Sequence, residues 1–303
     1  MDTTLATVAL PLALAVIMFG LGLGLTPADF RRLAAFPRAV LICLGCQILA
    51  LPLLCLGLVL LFDPPPALAV GMMLLAASPG GTSASLYSRL FGGNVALNIT
   101  LTAVNSLIAV VTLPLVVNLS LAYFAVGDGT LGLQFGKTLQ VFAVILLPVG
   151  AGMLVRARFP DAALRAERPV KAASVAVLVA LIAGAVAQEA ENIGGYLAAV
   201  GVPVLLFNVA SLAAGYWVPR WAGVGRPEAV ASCMEIGLHN STLALAIALS
   251  PALLGSSEIA VPAAVYGVLM FFTAAVAGAL AARGTRRASQ NTGTSSHQMN
   301  REE

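Results

Sequence analysis

Charge is what this sequence has least of. Asp, Glu, Lys and Arg make up 10% of the 303 residues, against roughly a quarter in a soluble domain. With 59% hydrophobic residues and a mean hydropathy of +0.96, this excludes a disordered chain, a nucleic-acid binder and most soluble enzymes. Histidine is nearly missing: there are only His239 and His297. The four cysteines, Cys43, Cys46, Cys55 and Cys233, lie in apolar stretches, which excludes a disulfide framework and a zinc site. Cys43 and Cys46 have CxxC spacing, but inside an apolar helix they lack an aqueous redox partner. No Lys or Arg precedes Arg31, so the first apolar stretch lacks the basic start of a secretory signal. What remains is an all-α polytopic membrane protein.

A transmembrane helix needs about 20 mostly apolar residues. Nine stretches qualify: 5–25, 39–62, 67–86, 95–124, 139–155, 170–187, 196–218, 229–249 and 259–282, here spans A to I. The loops are short, so 1–283 reads as one membrane domain and 284–303, rich in Ser, Thr and Asn, as a disordered tail. The few charges set the orientation. Arg31, Arg32 and Arg38 follow span A, and Arg89 follows C. Five basic residues between Arg156 and Lys171 follow E, Arg220 and Arg226 follow G, and the last four are in the tail. Only Lys137 falls on the opposite side, where it can snorkel. The positive-inside rule then predicts an outside N-terminus and a cytoplasmic C-terminus.

Twelve of the 13 acidic residues fall in loops, at helix ends or in the tail. Glu235, in span H, does not. A charge at the bilayer centre costs at least ~3 kcal/mol on insertion scales, so it marks a pathway or a partner. His239 follows four residues later and would share a face with Glu235 on an unbroken helix, but Gly237 lies between them. Its ordinary pKa of about 6.5 suits a proton relay as well as hydrogen bonding. Span C contains Ser78-Pro79-Gly80-Gly81-Thr82-Ser83-Ala84-Ser85. Proline removes a backbone donor and glycine weakens the helix. In lipid such a break needs protein or water beside it. Its half-helix N-terminus suits anions and its half-helix C-terminus suits cations.

Pairing A with F, B with G, C with H and D with I gives segments of opposite direction, with E unpaired. That is an inverted repeat, about 1–124 and 135–283, whose interrupted spans C and H mark a transporter's midplane site. Gln47 in B, and Asn98, Thr102 and Asn105 on one face of D, would complete it.

Five blocks taken together resemble the bile acid:sodium symporter family. They are Met18-Phe19-Gly20-Leu21-Gly22, Leu25-Thr26-Pro27-Ala28-Asp29-Phe30, Ala77-Ser78-Pro79-Gly80-Gly81-Thr82, Gly93-Asn94-Val95-Ala96-Leu97 and Glu235-Ile236-Gly237-Leu238-His239-Asn240-Ser241. The resemblance covers nearly all of the chain up to Arg283. It implies a nine-helix bacterial-type member of the inner membrane. The implied fold has inverted repeats, a panel domain and a core domain with two broken crossing helices. It implies two sodium sites. The first would use Ser85, Asn98, Thr102 and Glu235. The second would use Gln47, Glu235, the carbonyls of Ile236 and Leu238, and His239. An organic anion would bind near Gly81, Thr82, Ser83 and Asn240, at half-helix N-termini following Gly81 and Gly237.

The chain departs from the family pattern at Ala84-Ser85, Asn98 and His239, and at Met270-Phe271, where some members carry His-Asn. Ala84 offers no side-chain oxygen, and imidazole suits softer metals than sodium. The function implied is sodium-coupled alternating-access transport of a bile-acid-like steroid, pantoate or keto acid. Sodium would be the coupling ion, with no cofactor and no nucleic-acid partner. The alternative is proton-coupled or uncoupled transport using Glu235 and His239. An intramembrane enzyme or receptor is disfavoured: there is no HExxH, no nucleophile–base set, no cofactor loop and no extramembrane domain.

Overall fold

The computed structural model describes residues 32–81, 83–124, 135–188, 191–250 and 253–299, with scattered positions between 15 and 28. The side chains of 135–146, of much of 167–190 and of residues beyond 282 lie outside that description, as does most of span A. Regular structure among the described residues is helical, apart from one isolated β-bridge. The helices are α1 (Pro37–Phe62), α2 (Pro66–Ala77), α3 (Ser83–Leu90), α4 (Val95–Tyr123) and α5 (Phe135–Arg158). They continue as α6 (Pro160–Gln188), α7 (Ile193–Trp221), α8 (Arg226–Gly237), α9 (Ser241–Leu249) and α10 (Ser257–Met299). Among the described residues, four helices are long and apolar enough to span a membrane: α1, α4, α7 and α10.

Spans C and H are not continuous helices. Each is two shorter pieces, α2 with α3 and α8 with α9, separated by a few extended residues. The half-helix that follows Gly237 begins at Ser241. The last helix runs from Ser257 to Met299, with Pro262 in its second turn.

Local chemistry explains the ends. Proline occupies the first turn of α1, α2 and α8, where its missing N–H costs nothing. Asn94 caps α4 by accepting from the Leu97 N–H at 3.1 Å, and Asn240 caps α9 by accepting from the Leu243 N–H at 3.0 Å. Within α1 a π-helical turn, Cys46–Ala50, precedes Pro52. It places Gln47 on the buried side.

The burial pattern is inverted relative to a soluble protein. Leu41 and Leu61 are 71% and 74% exposed, whereas Gln47, Asn98, Asn208, Glu235 and His239 are buried. An apolar exterior around a polar interior is what a bilayer selects. Every residue of 68–80 and of 229–241 is buried, so the two interrupted elements are the centre of the molecule. α2 lies against α4 and α10, and α8 against α7, α4 and α3.

Candidate functional site

The two breaks pair with each other. Gly80 and His239 form an antiparallel bridge. The Gly81 N–H donates to the Leu238 carbonyl at 2.6 Å, and the Asn240 N–H donates to the Pro79 carbonyl at 2.8 Å. Each unwound segment thus supplies partners that the other lost on leaving its helix, which is how unwound backbone survives in a bilayer.

Glu235 sits in the last turn of α8, fully buried. Its Oε2 accepts the Thr102 hydroxyl at 2.5 Å and the Asn98 amide at 3.5 Å. The Asn98 amide also donates to the Ala231 carbonyl at 2.9 Å. Asn105, seven residues after Asn98, lies beside the same carboxylate with its amide nitrogen otherwise unpartnered. The polar face expected on span D therefore does meet the carboxylate of span H. Glu235 Oε1 lies against Gly80, where a Cβ would overlap it. Gly80 is needed for that close approach.

A second cluster converges on the Ser78 carbonyl. It accepts from Gln47 Nε2 at 3.0 Å and pairs with His239 Nδ1 at 2.9 Å. A carbonyl only accepts, so the proton sits on Nδ1. In the neutral ring Nε2 is then an acceptor, and it has no partner among the described residues. The imidazole stacks on Phe207, centroids 5.5 Å apart, and meets Tyr266 edge-on at 5.3 Å. Glu235 and His239 do not act as one helical face. The break after Gly237 sends them to different partners.

Three buried side-chain carbonyl or carboxylate oxygens have no donor among the described residues: Glu235 Oε1, Gln47 Oε1 and Asn98 Oδ1. A carboxylate and two amide carbonyls are hard acceptors of the kind a sodium ion requires. The donor set fits a small hard cation at Glu235. It fits less well at His239, whose nearer nitrogen is spent on Ser78.

The remaining expected residues are placed as follows. Ile236 and Leu238 are buried, and the Leu238 carbonyl carries the hydrogen bond from Gly81. Gly81, Ser83 and Ser85 are half-buried. Thr82 lies outside the described residues. Asn240 lines a narrow cavity with Pro79, Ser106, Met18 and Leu243. At about 10 Å³ this cavity holds no more than about one water, so in this conformation it has no room for an organic anion. Met270 is buried, with its sulfur 3.9 Å from the Ser241 hydroxyl, and the Phe271 carbonyl accepts from Tyr87 at 3.1 Å.

Sequence reasoning missed a set of residues that hold the second break open. The free carbonyl of Gly237 accepts from Asn208 Nδ2 at 3.1 Å and from the Tyr266 hydroxyl at 2.9 Å. Thr273 in turn donates to Asn208 Oδ1. A buried Asn in span G and a Tyr in span I were the available signals. Neither had a partner visible in one dimension.

A polar centre built from two mutually paired helix breaks inside an apolar shell defines a helical membrane transporter. The comparisons agree. The model of the sodium bile acid symporter family matches residues 11–196, more than half of the chain. The uncharacterized sodium-dependent transporter YocS of Bacillus subtilis is 30% identical over 84% of this chain and 77% of its own length. The "probable sodium/metabolite cotransporter BASS2, chloroplastic" of Oryza sativa subsp. japonica is 29% identical over 89% of this chain and 63% of its own. The human ileal sodium/bile acid cotransporter is 28% identical over 80% and 69%. The chain belongs to the sodium bile acid symporter family. It is an integral membrane transporter and not an enzyme.

Proposed function

We propose that this protein moves a small organic anion together with sodium by alternating access. Nine spans in two inverted repeats, about 1–124 and 135–283, form a panel and a core that slide against each other. A first sodium ion is held by Glu235, Asn98, Thr102 and Ser85. A second lies between Gln47, Glu235, the carbonyls of Ile236 and Leu238, and His239. The anion, a carboxylate of bile-acid, pantoate or keto-acid type, meets Gly81, Thr82, Ser83 and Asn240 at the half-helix N-termini. The protein sits in a bacterial inner membrane with its N-terminus outside and its C-terminus in the cytoplasm.

The observation that carries this reading is the Glu235 carboxylate, buried beside the paired breaks with Oε1 lacking any donor among the described residues. A proton-coupled variant is favoured by one observation, the unpartnered Nε2 of His239. Thermal unfolding of the purified protein in sodium and in potassium tests the choice. Sodium at about 100 times its dissociation constant should stabilise the fold by ~2.7 kcal/mol. The same unfolding midpoint in both salts across pH 5 to 8 would overturn sodium coupling.

A further inference from the structure

We propose that the groove between α7 and α10 binds one anionic phospholipid, with an acyl chain along the groove and the phosphate at Arg226 and Arg220. The proposal requires only that the chain spans a membrane and is independent of the cation and substrate roles given above.

The groove encloses about 630 Å³, within the size range of ligand sites. Its walls include Tyr216 and Trp217 on α7 and Phe272, Val276, Leu280 and Ala281 on α10. On α7 it extends from Val209 to Trp217, a rise of roughly 12 Å. That is close to the thickness of one leaflet's hydrocarbon layer, about 15 Å. Trp217 is 51% exposed and Phe272 69% exposed, so the groove opens sideways toward lipid.

Its ends differ. Next to Trp217 the chemistry changes from apolar to aromatic and basic. Trp221 stacks on Trp217, with centroids 6.3 Å apart, in the manner of rings at the headgroup level. Arg226 Nη2 donates to the carbonyl of Ala281, a wall residue. Its Nε is buried with no partner among the described residues. Arg220 Nη1 donates to the Val224 carbonyl at 2.9 Å, and the Arg38 guanidinium lies by Gly223 in the same turn. One carboxylate shares this turn: Glu228 accepts from Asn94 through Oε1 and sets Oε2 against Gly225, so three guanidinium groups face one carboxylate. Three guanidinium groups thus surround the turn after α7, at the groove's aromatic end. A basic pocket between helices at the membrane surface is suited to a phosphate headgroup.

The opposite end matters for the site. There the wall includes Leu212 and Thr273. The Leu212 side chain lies where a Cβ on Gly237 would stand, and Thr273 holds Asn208, which donates to the Gly237 carbonyl. An acyl chain here braces the second helix break from outside.

The test uses the full chain in mixed micelles. Dioleoylphosphatidylglycerol and dioleoylphosphatidylcholine are compared at equal concentration, reading retained lipid by native mass spectrometry and the unfolding midpoint by heating. Phosphatidylglycerol should be retained as a single adduct and should raise the midpoint more than phosphatidylcholine. Arg226→Gln and Arg220→Gln should each lower its retention about fivefold. Ala277→Trp fills the groove without touching the arginines and should abolish the adduct. Arg158→Gln, an exposed basic residue on α5, which packs on α4 and α6, should leave retention unchanged. Glycerol 3-phosphate, a headgroup without chains, should neither bind nor stabilise. Equal retention of the two lipids, or full retention in Ala277→Trp, overturns the proposal.

Discussion

The two helix breaks reach the same end by different routes. The first, at Ser78–Thr82, is written into its own residues: Pro79 cannot donate to a helix and two glycines follow. The second, from Leu238 to Asn240, contains neither proline nor glycine, and only Gly237 precedes it. It is held open from outside. Asn208 and Tyr266 take the Gly237 carbonyl, and Gly81 takes that of Leu238. A locally coded break is therefore a support for one that is coded by its surroundings. The first break should tolerate loss of its neighbours better than the second.

The sharpest way to test this is at the carboxylate both breaks share. Glu235→Ala should abolish uptake in proteoliposomes and erase stabilisation by sodium while the protein stays folded, because it removes a buried charge that costs energy to insert. Wild-type uptake would refute this.

Gly80→Ala comes next. Its Cβ would overlap the Glu235 carboxylate, and overpacking of this kind costs about 1–3 kcal/mol. Uptake should fall with stability, and thermal unfolding with a sodium titration reads both.

Asn208→Ala removes one buried donor from the Gly237 carbonyl, while Thr273 keeps the Leu269 and Met270 carbonyls as acceptors. A loss of about 1–3 kcal/mol is expected. Tyr266→Phe keeps the ring against His239 and should cost only about 0.5–1.5 kcal/mol. If hydrogen exchange at the amides of 238–240 is unchanged in both variants, the second break is not held from outside.

The smallest effects fall on hydroxyls. Ser85→Ala should weaken sodium binding by about tenfold, the order of one lost ligand worth ~1.4 kcal/mol. Ser120→Ala should change nothing, because that hydroxyl donates within its own helix, to the Val116 carbonyl at 2.7 Å. Equal sodium affinities in the two variants would remove Ser85 from the site.

Much of this was legible in one dimension. Scarcity of charge and long apolar runs marked the chain as a helical membrane protein. The lone acid in span H and the Pro-Gly-Gly run in span C marked the centre. The spacing of four put Asn98 and Thr102 on one face, the family resemblance grouped them with Glu235, and both meet it. That Glu235 and His239 go to different partners was not legible. It depended on a break whose supports, Asn208 and Tyr266, lie 29 residues to either side of Gly237. Nor could hydropathy reveal the groove at α7 and α10, since lipid-facing and groove-facing residues are equally apolar.

By itself the sequence determined that the chain is apolar enough for a membrane and where one helix must break. These are matters of transfer energy and backbone chemistry that each residue carries with it. Tertiary structure alone decided that the second break pairs with the first through a single antiparallel bridge. It also decided that Ser78 gathers Gln47 and His239, and that Glu235 keeps one oxygen without a donor. A buried backbone group with no helical partner is stable only if another segment supplies one, and that supply depends on distance in space, not in sequence.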